Sequence, residues 1–176
     1  QLSYMSEGPL LAQEFLRKSG IRLIVEEHFP KTRLDGAVTL MNDVEPIIGL
    51  TLRYDRIDYF WFTLFHELAH IKLHLDVKTK GIDSWYIDDL SITDDGDEEE
   101  DADNLAVQWL LPDDVFNGTK ASKTYSAKDV RALAKELRIS PAIIAGRIRN
   151  ETRNYQKLST LVGQGTLKSM FPEFSK

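Results

Sequence analysis

The sequence predicts an α+β fold, with strands early in the chain and helices later. Three observations carry this. Short strand-like runs bounded by turn residues all fall before residue 53, and helical apolar spacing dominates from residue 58 onward. No internal repeat and no Pro- or Gly-rich linker divides the 176 residues, so the chain reads as one unit.

Each element follows from its residues. Pro9–Lys18 reads as a helix, with Gly8 before it, Pro9 in its first turn and Gly20 as a stop signal. Arg22–Glu26 has strand composition, Ala37–Met41 follows the turn pair Asp35-Gly36, and Ile47–Leu52 follows Pro46. Asp58 is placed to cap a long helix through Phe60, Leu64, Leu68, Ile71 and Leu75. Gly81–Gly96 reads as loop, and Glu99–Leu111 as a helix that stops before Pro112. Ser126–Leu137 and Pro141–Gln156 read as two further helices with Ser126 and Ser140 as N-caps.

Composition narrows the functions. Hydrophobic residues make up 42% and charged residues 28%, the balance of a soluble globular protein. Lys+Arg number 22 against 28 Asp+Glu, a net charge of −6 that argues against a uniformly basic nucleic-acid binder. The absence of cysteine excludes disulfides, Cys-ligated zinc, iron–sulfur clusters and thiol nucleophiles. No apolar run approaches the roughly 20 residues of a membrane span, so no membrane partner is expected. Charge is unevenly spread: twelve acidic residues lie between Asp76 and Asp103, and ten basic against three acidic between Lys120 and Lys157.

The chemistry concentrates in Trp61–Asp76, WFTLFHELAHIKLHLD. His66 and His70 are four apart, so on a helix their imidazoles share one face and can grip one divalent ion. Glu67 lies beside the first and can reach a water bound to such an ion. The helix is apolar nearly all round and must be buried, where an unpaired polar group costs roughly 2–7 kcal/mol or more. A hydrolytic zinc site needs a third protein ligand and an open fourth position. The run Asp97–Asp103 offers carboxylates for it. Glu99 and Asp103 are four apart, which suggests a division of labour in which Glu99 binds the metal while Asp103 accepts the outer N–H of a ligand histidine. Another helix register would present Glu98, Glu100 or Asp101 instead. His74 continues the series, yet on a straight helix it lies about 12 Å from His66 along the axis. It is therefore not expected to be a ligand, and His28 is tied to the site by nothing.

HELAH at His66–His70, then Glu99-Glu100-Asp101-Ala102-Asp103-Asn104-Leu105-Ala106 and Leu110-Leu111-Pro112, resembles the ImmA/IrrE metallopeptidases. Asp103 takes that family's Asn/Asp position, and Leu105 replaces its usual Phe. The resemblance covers about residues 22–112, the motif-bearing core, leaving 113–176 as a helical C-terminal part. It implies a zincin-like fold, a small antiparallel sheet packed on the HExxH helix. It also implies zinc held by His66, His70 and Glu99, with Glu67 as general base. The wider context, GLTLRYDRIDYFWFTLFHELAH and SPAIIAGRIRNE, resembles the subgroup fused to HigA-like or Xre-type regulators. That subgroup carries a helix-turn-helix domain upstream of the peptidase-like domain, expected here before Gln1. The implied setting is cytoplasmic, in stress response or toxin–antitoxin control. The implied substrate is a specific repressor or antitoxin-like protein, with a toxin as a further partner.

Tyr86, between the two motifs, is the candidate oxyanion stabiliser beside the metal, and Arg53–Asp58 is charged enough to line a cleft. Two rival functions use the same chain. One is a regulatory domain on the same fold that binds a toxin, ligand or DNA without proteolysis. The other is DNA contact through the basic helix pair, with Arg147, Arg149 and Arg153 on the second helix.

Overall fold

In a computed structural model, residues 1–42, 44–74 and 96–174 are described throughout, and 86–87 by their backbone. The helix α1 (Gly8–Lys18) buries Ala12 and Leu16 and has Pro9 in its first turn. Gly20, at φ +82°, supplies the left-handed conformation that turns the chain out of it. β1 (Arg22–Glu26) alternates, with Leu23 and Val25 inward and Arg22, Ile24 and Glu26 outward. β2 (Gly36–Met41) and β3 (Glu45–Thr51) form a hairpin whose turn includes Asn42 at φ +51°.

The sheet has the order β1-β3-β2-β4 and is mixed. β3 runs antiparallel to β2 but parallel to β1, which corrects the expected antiparallel sheet. The reason lies in the connection over residues 27–35. It carries the chain from the end of β1 past the place of β3, β2 runs back, and the hairpin inserts β3 between them. β4 (Tyr86–Ile87) adds a two-residue antiparallel edge to β2, where a loop is expected from sequence. The remainder of Gly81–Asp95 lies outside the described residues, as does Leu75.

Helix α2 (Ile57–Leu73) lies across β2 and β3, with Val38, Ile48 and Leu50 of the sheet and Phe60 and Leu64 of the helix in one core. α3 (Gly96–Leu110) packs along another side of α2, and α7 (Pro141–Glu151) along a third. That enclosure is why α2 is apolar around most of its circumference. Asp58 does not cap it. The N-cap is Arg56, in extended conformation, and Asp58 sits buried in the first turn, taking a hydrogen bond from Arg56 Nε at 2.9 Å. α3 starts at Gly96, three residues before the expected Glu99. Its first turn carries Asp97, Glu98 and Glu99, which favour the positive end of the helix dipole.

Beyond Pro112 come the short α4 (Asp113–Phe116) and α5 (Lys120–Thr124), then α6 (Ala127–Leu137) and α7. Ser126 and Ser140 cap α6 and α7, accepting from Asp129 N and Ala142 N. α7 ends at Glu151 instead of Gln156 because Arg153 turns left-handed at φ +49°. The C-terminal segment returns to the start of α2: Ile57 N donates to Val162 O at 3.0 Å, and Phe171 packs on Phe60 with ring centroids 6.2 Å apart. Among the arginines expected to read DNA, Arg149 is buried and donates to the Tyr155 carbonyl, while Arg147 pairs with Asp113 and Glu151. Most of α7 is spent on the core, which buries Ile143, Ile144 and Ile148. None of the described helices is long and apolar enough to cross a membrane.

Candidate metal centre

His66 and His70 occupy adjacent turns of α2 on the side covered by α3, and both are buried. Their Nε2 atoms lie 2.9 Å apart. Glu99, in the first turn of α3, meets them both: Oε2 is 3.1 Å from His66 Nε2 and Oε1 is 3.2 Å from His70 Nε2. One turn along α3, Asp103 Oδ1 lies 2.9 Å from His66 Nδ1. With its Nδ1 N–H donated to Asp103, His66 presents Nε2 to the triangle, where a lone pair becomes available once that nitrogen gives up its proton. Two imidazole nitrogens and a carboxylate therefore converge on one small volume, all within 4.8 Å of one another.

Such a set of acceptors calls for a cation. Ligands 2.0–2.1 Å from a tetrahedral ion stand about 3.3 Å from each other, close to the three separations found here. The donor set, two nitrogens and one oxygen, suits zinc, and Asp103 supplies the outer hydrogen bond that fixes a ligand histidine. In the metal-free site a proton meets part of this demand. Burial pushes His66 down, but its bonds to Asp103 and Glu99 and the nearby Glu67 charge prevail and raise its pKa to about 10. Burial pushes Glu99 up, and its bonds to His66 and His70 outweigh this, lowering it to about 2.

Glu67 is 1% exposed, and its carboxyl lies directly against the first residue of β2. A Cβ built on Gly36 would stand 2.2 Å from Glu67 Oε1 and 2.9 Å from Thr63 Cγ2. Gly36 has no left-handed φ, so space for Glu67, rather than a turn, is what demands glycine there. The strand start is pinned. Thr51 N donates to Asp35 O at 2.9 Å, Arg53 Nη1 lies 3.2 Å from both Asp35 carboxylate oxygens, and Tyr59 OH donates to Asp35 Oδ2.

Asp35 and Gly36 are thus part of the site's scaffold, although their sequence reads as a turn pair. A glycine opening a strand is the signal that points to a close approach. Arg53 and Arg56, expected to line a cleft, are engaged with Asp35 and Asp58, although Arg56 and Asp58 also border a cavity beside the centre. Of the alternative carboxylates, Glu98 stands 4.0 Å from His74 Nδ1, and Glu100 and Asp101 are exposed. His74 lies one turn past His70, its ring centroid 5.5 Å from that ring, and is not in the three-residue cluster. Tyr86 has its backbone in β4 opposite Val38, and its side chain lies outside the described residues.

The site can hold a divalent ion between the two imidazoles and the Glu99 carboxylate, with the buried Glu67 on the same helix as the histidines. No curated protein matches the chain. The family model for the IrrE N-terminal-like domain, a peptidase family, matches residues 20–149, from the strand before the hairpin almost to the end of α7. The HExxH helix and the carboxylate helix that meets it both fall inside that span, and the chain belongs to the IrrE N-terminal-like domain family.

Proposed function

We propose that this protein is a zinc-dependent endopeptidase in which His66, His70 and Glu99 hold the metal and Glu67 is the general base. The observation that carries the reading is the triangle of His66 Nε2, His70 Nε2 and the Glu99 carboxylate, with Asp103 on the outer nitrogen of His66. Family membership supports a metallopeptidase role.

Bound zinc lowers the pKa of a coordinated water toward about 7 and polarises a carbonyl. The chain's own residues do the rest. Asp103 fixes the tautomer of His66 by accepting from Nδ1, so that Nε2 is presented as a ligand. Glu67 takes a proton as the nucleophile attacks and returns it to the leaving amine. Its burial against Gly36 restricts where that carboxylate can lie. The Glu67 residue itself supports catalysis over mere binding, since a site that only held metal would have no use for it.

The proposed substrate is a specific protein, an Xre-type repressor or antitoxin-like regulator, cleaved in the cytoplasm during stress response or toxin–antitoxin control. This rests on the resemblance of the HELAH and EEDADNLA segments and their surroundings. The test is elemental analysis of wild type and Glu99→Ala, each purified without added metal, followed by cleavage assays on Xre-type repressors. About one zinc per chain, lost in Glu99→Ala, with cleavage abolished in Glu67→Gln, is the expected result. A wild type that takes up no zinc on titration overturns it.

A further inference from the structure

Beside the metal centre, α2, α3 and α7 enclose a cavity of about 380 Å3 that the hydrolytic machinery does not use. We propose that it is the specificity pocket for a bulky, neutral apolar side chain of the substrate, aromatic or branched aliphatic, next to the cleaved bond; this rests on the peptidase reading above.

Continuity with the centre is the first argument. Asp103 lines the cavity and also bonds His66 Nδ1. Phe62 lines it one turn before His66, with the two ring centroids 6.2 Å apart. A residue flanking a bond held at the triangle therefore has this cavity within reach, since the two share Asp103 and adjoin at Phe62.

The walls decide the class of occupant. Tyr59 and Phe62 from α2, Val107 and Leu110 from α3, Ile143 from α7 and Tyr155 after it give an apolar and aromatic lining. Charged side chains also border the cavity, but each is already engaged. Arg56 Nε donates to Asp58 Oδ1 at 2.9 Å. Arg147 Nε donates to Glu151 Oε1 at 2.8 Å, its Nη2 donates to Asp113, and its guanidinium lies over the Phe116 ring. Asp103 is held by His66. An aspartate or glutamate entering here would meet four carboxylates and two guanidinia that are already paired. A lysine or arginine could reach the remaining oxygens of Asp103, Asp113 and Glu151, but these are 40–58% exposed, so it would gain no more there than a solvent-screened pair while losing water against the apolar walls. A neutral apolar side chain loses water and disturbs no pair. The volume falls within the roughly 300–1,000 Å3 of pockets that enclose small organic groups, so it favours large side chains over alanine or glycine, which leave most of it unfilled.

The experiment has two arms on the full chain. In the first, zinc-loaded protein is given a pool of capped octapeptides varied at each position, and cleavage is read by mass spectrometry. Bonds flanked on one side by Phe, Trp, Leu or Ile should be cut at least tenfold more than those flanked by Lys, Glu or Gly. Val107→Trp, which fills the cavity from α3, should erase that preference and leave metal content unchanged. Asn150→Trp, from the exposed end of the α7 wall, serves if Val107→Trp does not fold.

In the second arm, the metal-free protein is titrated with N-acetyltryptophanamide and its lysine and glutamate counterparts, followed by NMR. Shifts centred on Phe62 and Ile143 for the tryptophan probe alone, lost in the filled variant, are expected. Tryptophan binding without any peptide cleavage supports the pocket while the peptidase reading fails. Cleavage without apolar preference, together with no tryptophan binding, overturns the pocket and leaves the peptidase reading standing. Preference for a charged probe or side chain overturns it as well.

Discussion

The Glu67 carboxyl lies where a side chain on Gly36 would begin, so the proposed general base is positioned by a residue that has no side chain. A Cβ at Gly36 would overlap Glu67 Oε1 at 2.2 Å, while the three proposed metal ligands come from α2 and α3 and not from β2. Gly36→Ala is therefore expected to displace Glu67 and spare the metal. Overpacking of this kind costs about 1–3 kcal/mol of stability. The expected outcome is one metal per chain with turnover down by on the order of tenfold to a hundredfold, within what a displaced general base forfeits. Metal content and kcat measured on one preparation check it, and wild-type turnover in Gly36→Ala would remove Gly36 from its positioning role.

Asp103 acts through His66. Because it accepts from the outer nitrogen at 2.9 Å, Asp103→Asn leaves the three ligands in place but weakens the bond that orients one of them. Loss of such an outer partner costs about 10–100-fold in metal affinity. Competition with a chromogenic chelator measures this directly. Unchanged affinity would mean that the Asp103 contact adds nothing to the ligand.

The neighbouring acidic residues provide a sharper discrimination. Glu99 meets both histidines, whereas Glu98 stands 4.0 Å from His74, outside the triangle. Glu98→Ala and His74→Ala should each retain one metal per chain, and Glu99→Ala should lose it. The assignment of the third ligand fails if Glu98→Ala is the variant that loses metal.

These contacts differ in how far the sequence reveals them, and the difference follows the range of the interaction. His66 with His70, and Glu99 with Asp103, are each one helical turn apart, so periodicity alone places each pair on one face. Meeting of the two faces requires α3 to pack on α2, which the apolar spacing of both helices foreshadows. The sheet order is not local. Nothing in Arg22–Glu26 distinguishes a strand parallel to β3 from one antiparallel to it, because the answer lies in how residues 27–35 cross the sheet end. Asp58 shows a different limit: an acidic residue at a helix start reads as a cap, yet burial beside Arg56 and against the Gly146 position makes it half of an ion pair. Gly36 reads as a turn for the same reason, since what it accommodates is 31 residues away in the chain.

Protons and metal compete for the triangle, and the two have opposite pH dependence on the alkaline side. In the metal-free protein His66 is raised from 6.5 to about 10, so the stability it contributes is complete below about 6.5 and fades as pH rises toward 10. Glu99 is lowered from 4.5 to about 2, so its contribution is complete above 4.5 and is lost as pH falls toward 2. The site thus stabilises the metal-free fold most between about 4.5 and 6.5. Metal affinity moves the other way above that window, because a ligand nitrogen must give up its proton to bind. Near pH 7 His66 carries that proton, so zinc uptake should release about one proton per chain, and affinity should rise roughly tenfold per pH unit between 6 and 8. Calorimetry in two buffers of different ionisation enthalpy counts the protons. Zinc uptake with no proton release, and with an affinity flat across this range, would show that His66 Nε2 is not the nitrogen the metal occupies.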